Sequence, residues 1–564
     1  MRHAIAAALV RRGFRAARRR SASRFAVAPS CASRARFLAV FPARPPGAVA
    51  PDSQASSNAS APCAAFGHAF CAVFAAARLS RQASCGRVVC GGRAGRRLRN
   101  VKNPISALVW WNITYDKGVL CRSPPVRAFV VCNEWCDMEA MDFNQIFAIA
   151  VFIVAIVTIM SEKIHRTLVA IAGTVILLLA HVLSFDTAIS HIDFNTLGVL
   201  FGMMLFVAVV RESGMFEFLA VKTAKLAKGD PWKIMVLFVL LTAVLSAVLD
   251  NVTTVLLIGP MTLTICKLLK INPIPFFMVE IMASNIGGTA TLIGDPPNIM
   301  IGSAAGFTFA DFIMYDTPVV IVILAAVIGV FYIMYGRKMK VSEEDRERVM
   351  NLVEYEQIHD KRLMTQSIVV LVLVVVGFMM HGALGVESSV IAISAAAILL
   401  LISGRDITKA LVHVEWTTLA FFAGLFIIVG GLAETGTIDA IAQGLIDVTG
   451  GNVFLTMIVL LVASAVVSSF LDNIPFVATM IPILLAMEST GMDVTPLWWA
   501  VSLGACLGGN GTLIGASANV VLSDISAKNG YTISFLQYLK VGFPIMLLTV
   551  AIAGVYLVLR FPPM

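Results

Sequence analysis

The chain has 564 residues, of which 58 % are apolar and only 14 % are charged, and its mean hydropathy is +0.85. Soluble proteins carry about 25 % charged residues, so this composition excludes an ordinary soluble domain. The net charge of +9 hides two parts of opposite sign: residues 1–137 hold 22 Lys and Arg against 4 Asp and Glu, whereas residues 138–564 hold 21 against 30.

Residues 1–137 are rich in Arg, Ala, Ser and Pro and contain no apolar run of membrane-spanning length. Eight of the ten cysteines lie here, in spacings that match no zinc pattern or regular disulfide framework. We therefore predict a disordered segment. It is open to three interpretations: an organellar transit peptide, a polybasic membrane-surface arm, or an artefactual extension translated from a misplaced start codon. Met138 and Met141 lie just before the first apolar stretch and favour the third.

A chain that starts at Met138 is accordingly expected to insert into membranes and to keep the activity of the full chain, because residues 1–137 offer neither spans nor recognisable chemistry. Membrane fractionation and activity of the two chains side by side measure this. Failure of the shorter chain to insert or act would show that the segment is required.

From Asn144 onward the chain is a series of apolar stretches, and about 20 such residues cross a bilayer. We predict spans at 145–161, 167–184, 196–211, 317–336, 365–381, 387–404, 416–433 and 541–560. Four further stretches are interrupted. The stretches 233–249 and 255–269 meet at Asp250-Asn251, 275–306 is broken by Gly287-Gly288 and Pro296-Pro297, and 495–522 is broken by Gly508-Gly509.

An internal repeat connects these interruptions. HIDFNTL at His191 returns as HVEWTTL at His413, and SAVLDNV with Asp250 returns as SSFLDNI with Asp472, each at an offset of 222 residues. IGGTATLIGDPPN (286–298) returns as LGGNGTLIGASAN (507–519) at an offset of 221. The predicted units are repeat 1 at 138–336 and repeat 2 at 365–564, joined by a charged cytoplasmic loop at 337–364.

The placement of Lys and Arg predicts the topology, because these residues collect on the cytoplasmic side. Basic residues flank both ends of 233–269, which predicts a re-entrant hairpin with Asp250-Asn251 at its tip. The equivalent hairpin, 452–488, has no Lys or Arg and should open on the outside. The first half then crosses the membrane five times, so the second half is inverted. The predicted fold is an all-α polytopic membrane protein, an inverted-topology repeat with two re-entrant hairpins and two broken helices, typical of secondary transporters.

Non-helical backbone is tolerated at membrane depth only where it is buried or lines a cavity, so the four interruptions should converge at the midplane. Glycines there let the backbone approach a ligand, Asn and Thr supply neutral polar groups, and carboxylates are functional candidates by default. The candidate substrate- or ion-binding residues are Asp250, Asn251, Thr253, Thr254, Asn285, Gly287, Gly288, Thr289, Thr291, Gly294, Asp295, Asn298, Asp472, Asn473, Gly508, Gly509, Asn510, Thr512, Gly515 and Asn519.

Alternatives remain open for some of these residues. Glycine pairs also serve as close-packing surfaces between membrane helices. Asp295 and Glu280 have Ala516 and Val501 as repeat equivalents, so each is either an asymmetric site residue or a structural carboxylate. The segments 212–228 and 434–449 are expected to be interfacial helices, and the charge-rich 341–362 a solvated loop.

Five segments carry a resemblance to a known family: SAVLDNVTTVLLIGP, NIGGTATLIGDPPN, VEWTTLAFFAGLF, LDNIPFVATMIPILL and ACLGGNGTLIGASANV. They resemble the ion transporter superfamily, in particular the group of the melanosomal P protein and its bacterial relatives. The superfamily also contains arsenite permeases, NhaD-type sodium/proton antiporters, and sodium-coupled dicarboxylate and citrate carriers. The similarity covers about 145–560.

The resemblance also places the hairpin tips. In the dicarboxylate carriers these tips carry a Ser-Asn-Thr motif that helps to bind sodium and the substrate carboxylate, and Asp250-Asn251 and Asp472-Asn473 occupy the equivalent places here. Asp stands where the carriers have Ser, and Pro475 and Phe476 replace the threonines of the second tip. A carboxylate at the tip repels an anion and can carry a proton, which argues against dicarboxylate transport.

The resemblance implies a secondary active transporter and not an enzyme, most often an arsenite/oxyanion permease coupled to an ion gradient. A sodium/proton antiporter and a citrate/dicarboxylate carrier are the alternatives, with a channel more distant. Implied partners are membrane lipid, a small inorganic ion or anion, a second copy in a homodimer and, for an arsenite pump, a soluble ATPase subunit. No nucleic acid and no cofactor are expected beyond sodium or a proton as coupling ion. The expected location is the plasma (inner) membrane of a prokaryote.

Another class, an intramembrane aspartyl protease, is suggested only by Asp295 after Gly294 and Asp316 after Tyr315. Such a protease needs Gly-x-Gly-Asp, but residue 292 is Leu. Because Asp250 and Asp472 occupy equivalent interruptions, we expect both to couple transport to an ion gradient, and both Asp→Asn variants to insert normally but lose gradient-driven transport.

Overall fold

A computed structural model describes residues 142–161 and 163–563, and all regular structure in these ranges is helical. The predictions made for residues 1–137 lie outside the described residues. Repeat 1 contains eleven α-helices: α1 (Phe143–Met160), α2 (Arg166–Leu179), α3 (Phe185–Ser190), α4 (Phe194–Arg211), α5 (Met215–Leu226), α6 (Pro231–Ser246), α7 (Asn251–Leu268), α8 (Ile274–Thr289), α9 (Pro296–Ala305), α10 (Phe309–Tyr315) and α11 (Thr317–Met334).

The linking segment contains α12 (Glu343–Met350) and two 3-10 turns, Gly336–Lys338 and Glu354–Gln357. Repeat 2 follows with α13 (Lys361–Leu384), α14 (Ser388–Ser403), α15 (Ile407–Val412), α16 (Trp416–Glu434), α17 (Thr437–Thr449), α18 (Val453–Phe470), α19 (Asn473–Ser489), α20 (Thr495–Gly508), α21 (Ser517–Lys528) and α22 (Phe535–Arg560).

Eight of these helices are long and apolar enough to cross a membrane: α1, α4, α7, α11, α13, α16, α18 and α22. Several present apolar side chains outward; on α13, Val369, Val372 and Leu373 are each more than half exposed. Exposed apolar surface on this scale marks contact with another apolar phase, here lipid. The all-α membrane fold predicted from the sequence is confirmed.

Each predicted span coincides with a helix, and the largest differences in boundary, five and six residues, are in the second and the last span. The span predicted to end at residue 184 ends at Leu179, and His181 just beyond it has a positive φ of 55°. The last helix begins at Phe535, six residues before the predicted 541, because the Ser534 side chain caps it by accepting from Gln537 N at 3.2 Å. The polar residues of its first turns conceal this start in a hydropathy pattern.

The repeat is visible in the packing of α6 on α8 and of α18 on α20. Ser246 Oγ donates to Ser284 O at 2.7 Å, and its repeat equivalent Ser468 Oγ donates to Ala505 O at 2.7 Å. A Cβ on Gly287 would lie 2.3 Å from the carbonyl oxygen of Ala243. Gly287 thus allows α6 and α8 to pack closely, which supports the packing interpretation of this glycine pair.

The two halves interlock reciprocally. Helix α2 of repeat 1 packs on α16 of repeat 2, and the repeat-related pair α14 and α4 packs in the same way. Helix α7, which follows the first tip, packs on α21, and its equivalent α19 packs on α9. Each hairpin therefore lies against the broken helix of the other repeat.

The segment 230–270 returns on itself as a hairpin. Asp230 precedes α6 and Lys270 follows α7, yet both lie beside α12: Arg346 approaches Asp230 at 3.8 Å and Lys270 lies 3.1 Å from Asp345. Both ends of the hairpin are thus on one side of the molecule, with its tip at Asp250.

Most residues of the linking segment 341–362 are exposed, as expected of a solvated loop, and the segment is also docked by ion pairs. Besides the contacts of α12, Lys225 of α5 lies 2.5 Å from Glu354, and Arg405 lies 2.6 Å from Asp360. The Ser342 hydroxyl and Lys270 lower the pKa of Asp345, and Lys225 lowers that of Glu354. Carboxylates with lowered pKa values stabilise the docking above their unfolded pKa, and this contribution is lost as the pH falls through the folded values.

Inversion of the repeats predicts that the bases of the two hairpins are reached from opposite faces of the membrane. Lys228 and Gly450 would report this, but both have a positive φ, which strains a cysteine. Their helical neighbours Leu226 and Val448 are also repeat equivalents and are 73 % and 82 % exposed. Leu226→Cys and Val448→Cys, compared with the parent chain, should react with an impermeant thiol reagent from opposite sides. Reaction from one side would refute inversion.

Candidate functional site

Four breaks in the helices meet at the contact between the repeats. Two are the hairpin tips, where α7 begins after Asp250 and α19 begins after Asp472. The other two are the unwound stretches 290–295 between α8 and α9 and 509–516 between α20 and α21. Hydrogen bonds connect the first stretch to both tips through Asp295, and Ser517, directly after the second stretch, is hydrogen-bonded to Asp472.

Two equivalent asparagines hold the unwound stretches in shape. Asn298 Nδ2 donates toward Thr289 O and Thr291 O at 3.2 and 3.0 Å, and Asn519 Nδ2 donates to Gly509 O and Thr512 O at 2.7 and 2.9 Å. These bonds satisfy carbonyls that the missing helical turns leave free. In this conformation both side-chain amides donate to backbone carbonyls, so they hold the unwound stretches in shape and do not line the cavity.

Asp295 is the point at which both hairpin tips converge. Its carboxylate accepts from Asn251 Nδ2 of the first tip at 3.3 Å and from Asn473 Nδ2 of the second tip at 3.1 and 3.2 Å. The side chain is fully buried. A single carboxylate in one break thus ties together three chain segments from both repeats.

Asp472, at the second tip, is ion-paired. Its Oδ2 lies 3.0 Å from Arg166 Nη1 and accepts from Ser517 Oγ at 2.8 Å. Arg166 begins α2, also donates to Ser517 Oγ at 2.7 Å, and stacks on the ring of Phe421. The second tip, the second break and α2 are therefore joined through one positive charge.

Asp250, by contrast, has no cation beside it among the described residues. It caps α7: Oδ1 accepts from Thr253 N at 2.8 Å, and Thr253 Oγ1 donates to Oδ2. Glu415, at the start of α16, accepts from Thr418 Oγ1 at 3.0 Å. Both carboxylates are held by neutral donors only.

These groups surround one small cavity. Its polar lining is Arg166, Asp250, Asn251, Asp295, Glu415, Thr418, Asn473 and Ser517, and Leu200, Met204, Val252, Pro296 and Ile474 complete it. It leaves about 20 Å³ for the centre of a water-sized sphere. That is room for about one water molecule or one bare ion. Three carboxylates face this space, and the one cation in its wall is already bound to Asp472.

A buried amide cluster lies behind the cavity. Asn285 Nδ2 donates to Asn510 Oδ1 and Asn519 Oδ1, both at 3.0 Å, and lies on α8 close to Asn251. Asn510 Nδ2 has no partner among the described residues. The cluster links the two broken helices directly.

The sequence-predicted residues therefore fall into two groups. Those at the cavity, or paired with its wall, are Asp250, Asn251, Asp295, Asp472 and Asn473. Those that hold the breaks and tips in shape are Thr253, Asn285, Gly287, Gly288, Thr291, Gly294, Asn298, Gly508, Gly509, Asn510, Thr512, Gly515 and Asn519. Thr289 bonds its own helix at Asn285 O, and the hydroxyl of buried Thr254 has no partner among the described residues.

Sequence reasoning missed four polar cavity residues: Arg166, Glu415, Thr418 and Ser517. Arg166 stands at the end of a predicted span, where a basic residue is ordinary, and its repeat equivalent is Ser388. Glu415 lies in the repeated motif HVEWTTL, where Asp193 is its equivalent. A carboxylate at the same place in both repeats was the available signal.

Several known proteins are similar to this chain. A family model described as citrate transporter matches residues 156–504. An uncharacterized transporter of Mycobacterium tuberculosis is 43 % identical over 423 residues, 74 % of this chain and 98 % of the relative. The human P protein is 34 % identical over 484 residues, 71 % of this chain and 58 % of the relative. The YdaH transporter structure from Alcanivorax borkumensis matches with a TM-score of 0.46 at 16 % identity, covering 75 % of this chain and 99 % of that one.

The family match spans more than half of the chain, and the mycobacterial relative is covered almost completely. The resemblance to the P protein group noted in the sequence is confirmed. The chain belongs to the citrate transporter family and is an integral membrane transporter.

Proposed function

We propose that the protein is a secondary active transporter driven by a proton or sodium gradient, and that the central cavity binds the coupling cation. The observation that carries this proposal is the charge of the cavity. Asp250, Asp295 and Glu415 line it, while Arg166 is neutralised by Asp472. An unoccupied cavity with all three groups ionised therefore holds three uncompensated negative charges.

Such a charge cannot persist at membrane depth. An ionised carboxylate without a partner costs several kcal/mol there, so it takes up a proton or binds a metal cation. Sodium is bound by oxygen atoms, and the cavity offers carboxylate, hydroxyl and amide oxygens within the space of about one water molecule. Cation binding would neutralise the contact between the hairpins and permit their movement as a unit, by an elevator-like or rocking motion.

The same charge constrains the substrate. Arsenite is uncharged as arsenous acid at neutral pH and meets no repulsion, in agreement with the arsenite-type expectation. A free citrate anion would face three carboxylates and exceed the cavity as it stands. Two observations nevertheless favour a carboxylate substrate as second candidate: the family description, and a guanidinium in the cavity wall, which can bind a carboxylate with two parallel bonds. Such a substrate would have to displace Asp472 from Arg166.

Proteoliposomes containing the purified full chain distinguish these candidates. We expect uptake or release of one member of a panel of arsenite, antimonite, sodium, citrate and succinate, driven by an imposed proton or sodium gradient. Protein-free liposomes and liposomes containing the Asp295→Asn variant are the controls. A flux that follows the substrate gradient alone, indifferent to both cations, would contradict the proposal and indicate a channel. The mycobacterial relatives favour the plasma membrane of a prokaryote as the location.

A further inference from the structure

A second buried carboxyl group lies away from the cavity, where α10 ends and α11 begins. Asp316 is fully buried, and its Oδ2 lies 2.8 Å from Ser502 Oγ on α20. Ser502 Oγ also lies 2.9 Å from Asn298 Oδ1. Asp316 Oδ1 has no hydrogen-bond partner, and no ion pair reaches Asp316 among the described residues.

The hydrogen atoms available to these three side chains decide the protonation state of Asp316. The two hydrogens of Asn298 Nδ2 are directed to backbone carbonyls, which fixes Asn298 Oδ1 as the atom facing Ser502. That oxygen can only accept. Ser502 has one hydroxyl hydrogen and lies beside two acceptors, so it can donate to only one of them.

A protonated Asp316 gives each of the two contacts of Ser502 one donor and one acceptor. If Asp316 is ionised and takes the Ser502 hydrogen, Ser502 Oγ and Asn298 Oδ1 face each other at 2.9 Å as two acceptors. If Asp316 carries a proton, it donates to Ser502 Oγ, and Ser502 donates to Asn298 Oδ1. Most buried polar groups in folded proteins are hydrogen-bonded, and two acceptors in contact are unfavourable, which favours the protonated form.

We infer that Asp316 is a second proton-binding site, coupled to the transport cavity through Ser502 and Asn298. The connection is short. Asn298 holds the unwound stretch that ends at Asp295, and Asp295 joins both hairpin tips. Loss of the Asp316 proton turns the Ser502 hydroxyl away from Asn298 and weakens the support of that stretch. This role rests on the proposed cation coupling.

Among the described residues, no side chain is in contact with Asp316 that would neutralise its ionised carboxylate. The titratable or charged side chains facing it are Cys506 on α20, Tyr556 and Arg560 on α22, and the adjacent Tyr315. The Arg560 guanidinium lies over the ring of Tyr315 instead of pairing with Asp316.

The hydrogen-bonded series Asp316–Ser502–Asn298 has no equivalent in the other repeat, within the part of the chain that the structure describes. In repeat 2 the oxygen of Asn519 receives a hydrogen bond from Asn285, and Cys506, the equivalent of Asn285, lies 3.5 Å from Asn298 Oδ1. The repeat equivalent of Ser502 is Ile281. Ser502 and Asp316 thus connect a titratable group to Asn298, whereas the equivalent Asn519 of repeat 2 has no such connection among the described residues.

Infrared spectroscopy of the purified full chain tests the proton directly, without any transport measurement. Asp316→Asn keeps a donor for Ser502 and should fold. We expect the wild-type minus Asp316→Asn difference spectrum at neutral pH to show the carbonyl stretch of one protonated carboxylic acid, shifted in deuterium oxide. The matched control is Asp311→Asn on α10, whose carboxylate already accepts from Thr308 N at 2.7 Å and should give no such band. Loss of an ionised carboxylate band on Asp316→Asn would overturn the inference.

The coupling is tested by the pH profile of transport in proteoliposomes. Deprotonation of Asp316 should slow the wild type at alkaline pH, whereas Asp316→Asn, which cannot lose the donor, should remain active there. A variant profile that superimposes on the wild type would overturn the coupling role even if the protonated band is present. If wild-type transport ignores both cation gradients, the proposed function fails, while the infrared band still decides whether Asp316 carries the proton.

Discussion

Asp295→Asn is expected to abolish gradient-driven transport while the protein still inserts and folds. The substitution keeps the volume but replaces the carboxylate by a neutral amide, so the donors of Asn251 and Asn473 lose a charged acceptor and the cavity loses one of its three ionisable groups. Hydrogen bonds to a charged group contribute about 1.5–3 kcal/mol each. A loss of about 3 kcal/mol corresponds to a decrease of roughly 100-fold in the population of the joined hairpins. Initial uptake rates under an imposed gradient measure the effect.

Glu280→Gln is the matched control for this prediction. Glu280 is another buried carboxyl group of repeat 1, but it bonds Thr262 at 2.5 Å and does not line the cavity. Its isosteric replacement should change transport by no more than a few-fold. Equal losses in both variants would mean that any buried carboxyl group matters to the fold, and would remove the special role of Asp295.

The second large effect concerns Arg166 and Asp472. Arg166→Gln leaves Asp472 without its cation beside three further carboxylates, so transport should fall and the melting temperature should drop. Removing one partner of a buried, hydrogen-bonded charge pair costs about 2–5 kcal/mol. The lower end applies here, because the side chains of Arg166 and Asp472 are 27 % and 15 % exposed. Asp472→Asn leaves Arg166 next to Ser517 and should be milder.

The double variant Arg166→Gln/Asp472→Asn tests whether the effects of the two substitutions are coupled. If the pair acts as a unit, removing both charges should restore part of the stability that Arg166→Gln loses, giving a non-additive cycle. Additive losses would show that the two side chains contribute independently. The sequence alone predicts equal loss of coupling for Asp250→Asn and Asp472→Asn; the ion pair predicts instead that Asp250→Asn has the greater effect on coupling.

The repeat made much of the site predictable from the sequence. Asp250-Asn251 and Asp472-Asn473 are recognisable because the same Asp-Asn pair recurs in two segments 222 residues apart. Each pair interrupts an apolar stretch, and non-helical backbone at membrane depth is tolerated only where it is buried or lines a cavity. Asp295 was recognisable only as a carboxylate without an equivalent. That both tips donate to it depends on how the halves interlock, which periodicity does not encode.

Other features depend on pairing between distant side chains. Arg166 lies at a span end, where a positive residue is ordinary, so nothing local indicates that it reaches the tip at Asp472. The charges of 341–362 suggest solvent in a sequence pattern, yet Asp345 and Arg346 meet opposite charges at the base of a hairpin and Glu354 meets Lys225 on α5. The hydrogen bonds from Asn298 and Asn519 to backbone carbonyls likewise depend on the three-dimensional path of the unwound stretches, which the sequence does not specify.

The most direct test of cation binding in the cavity is proton movement in proteoliposomes that hold an entrapped pH indicator. An imposed substrate or sodium gradient should change the internal pH in vesicles with the wild-type chain, and the change should vanish with Asp295→Asn but persist with Glu280→Gln. If sodium alone is the coupling ion, substrate uptake should require sodium in the wild type and in Glu280→Gln, and it should be absent in Asp295→Asn. Substrate flux in the wild type that moves no proton and needs no sodium would contradict the account.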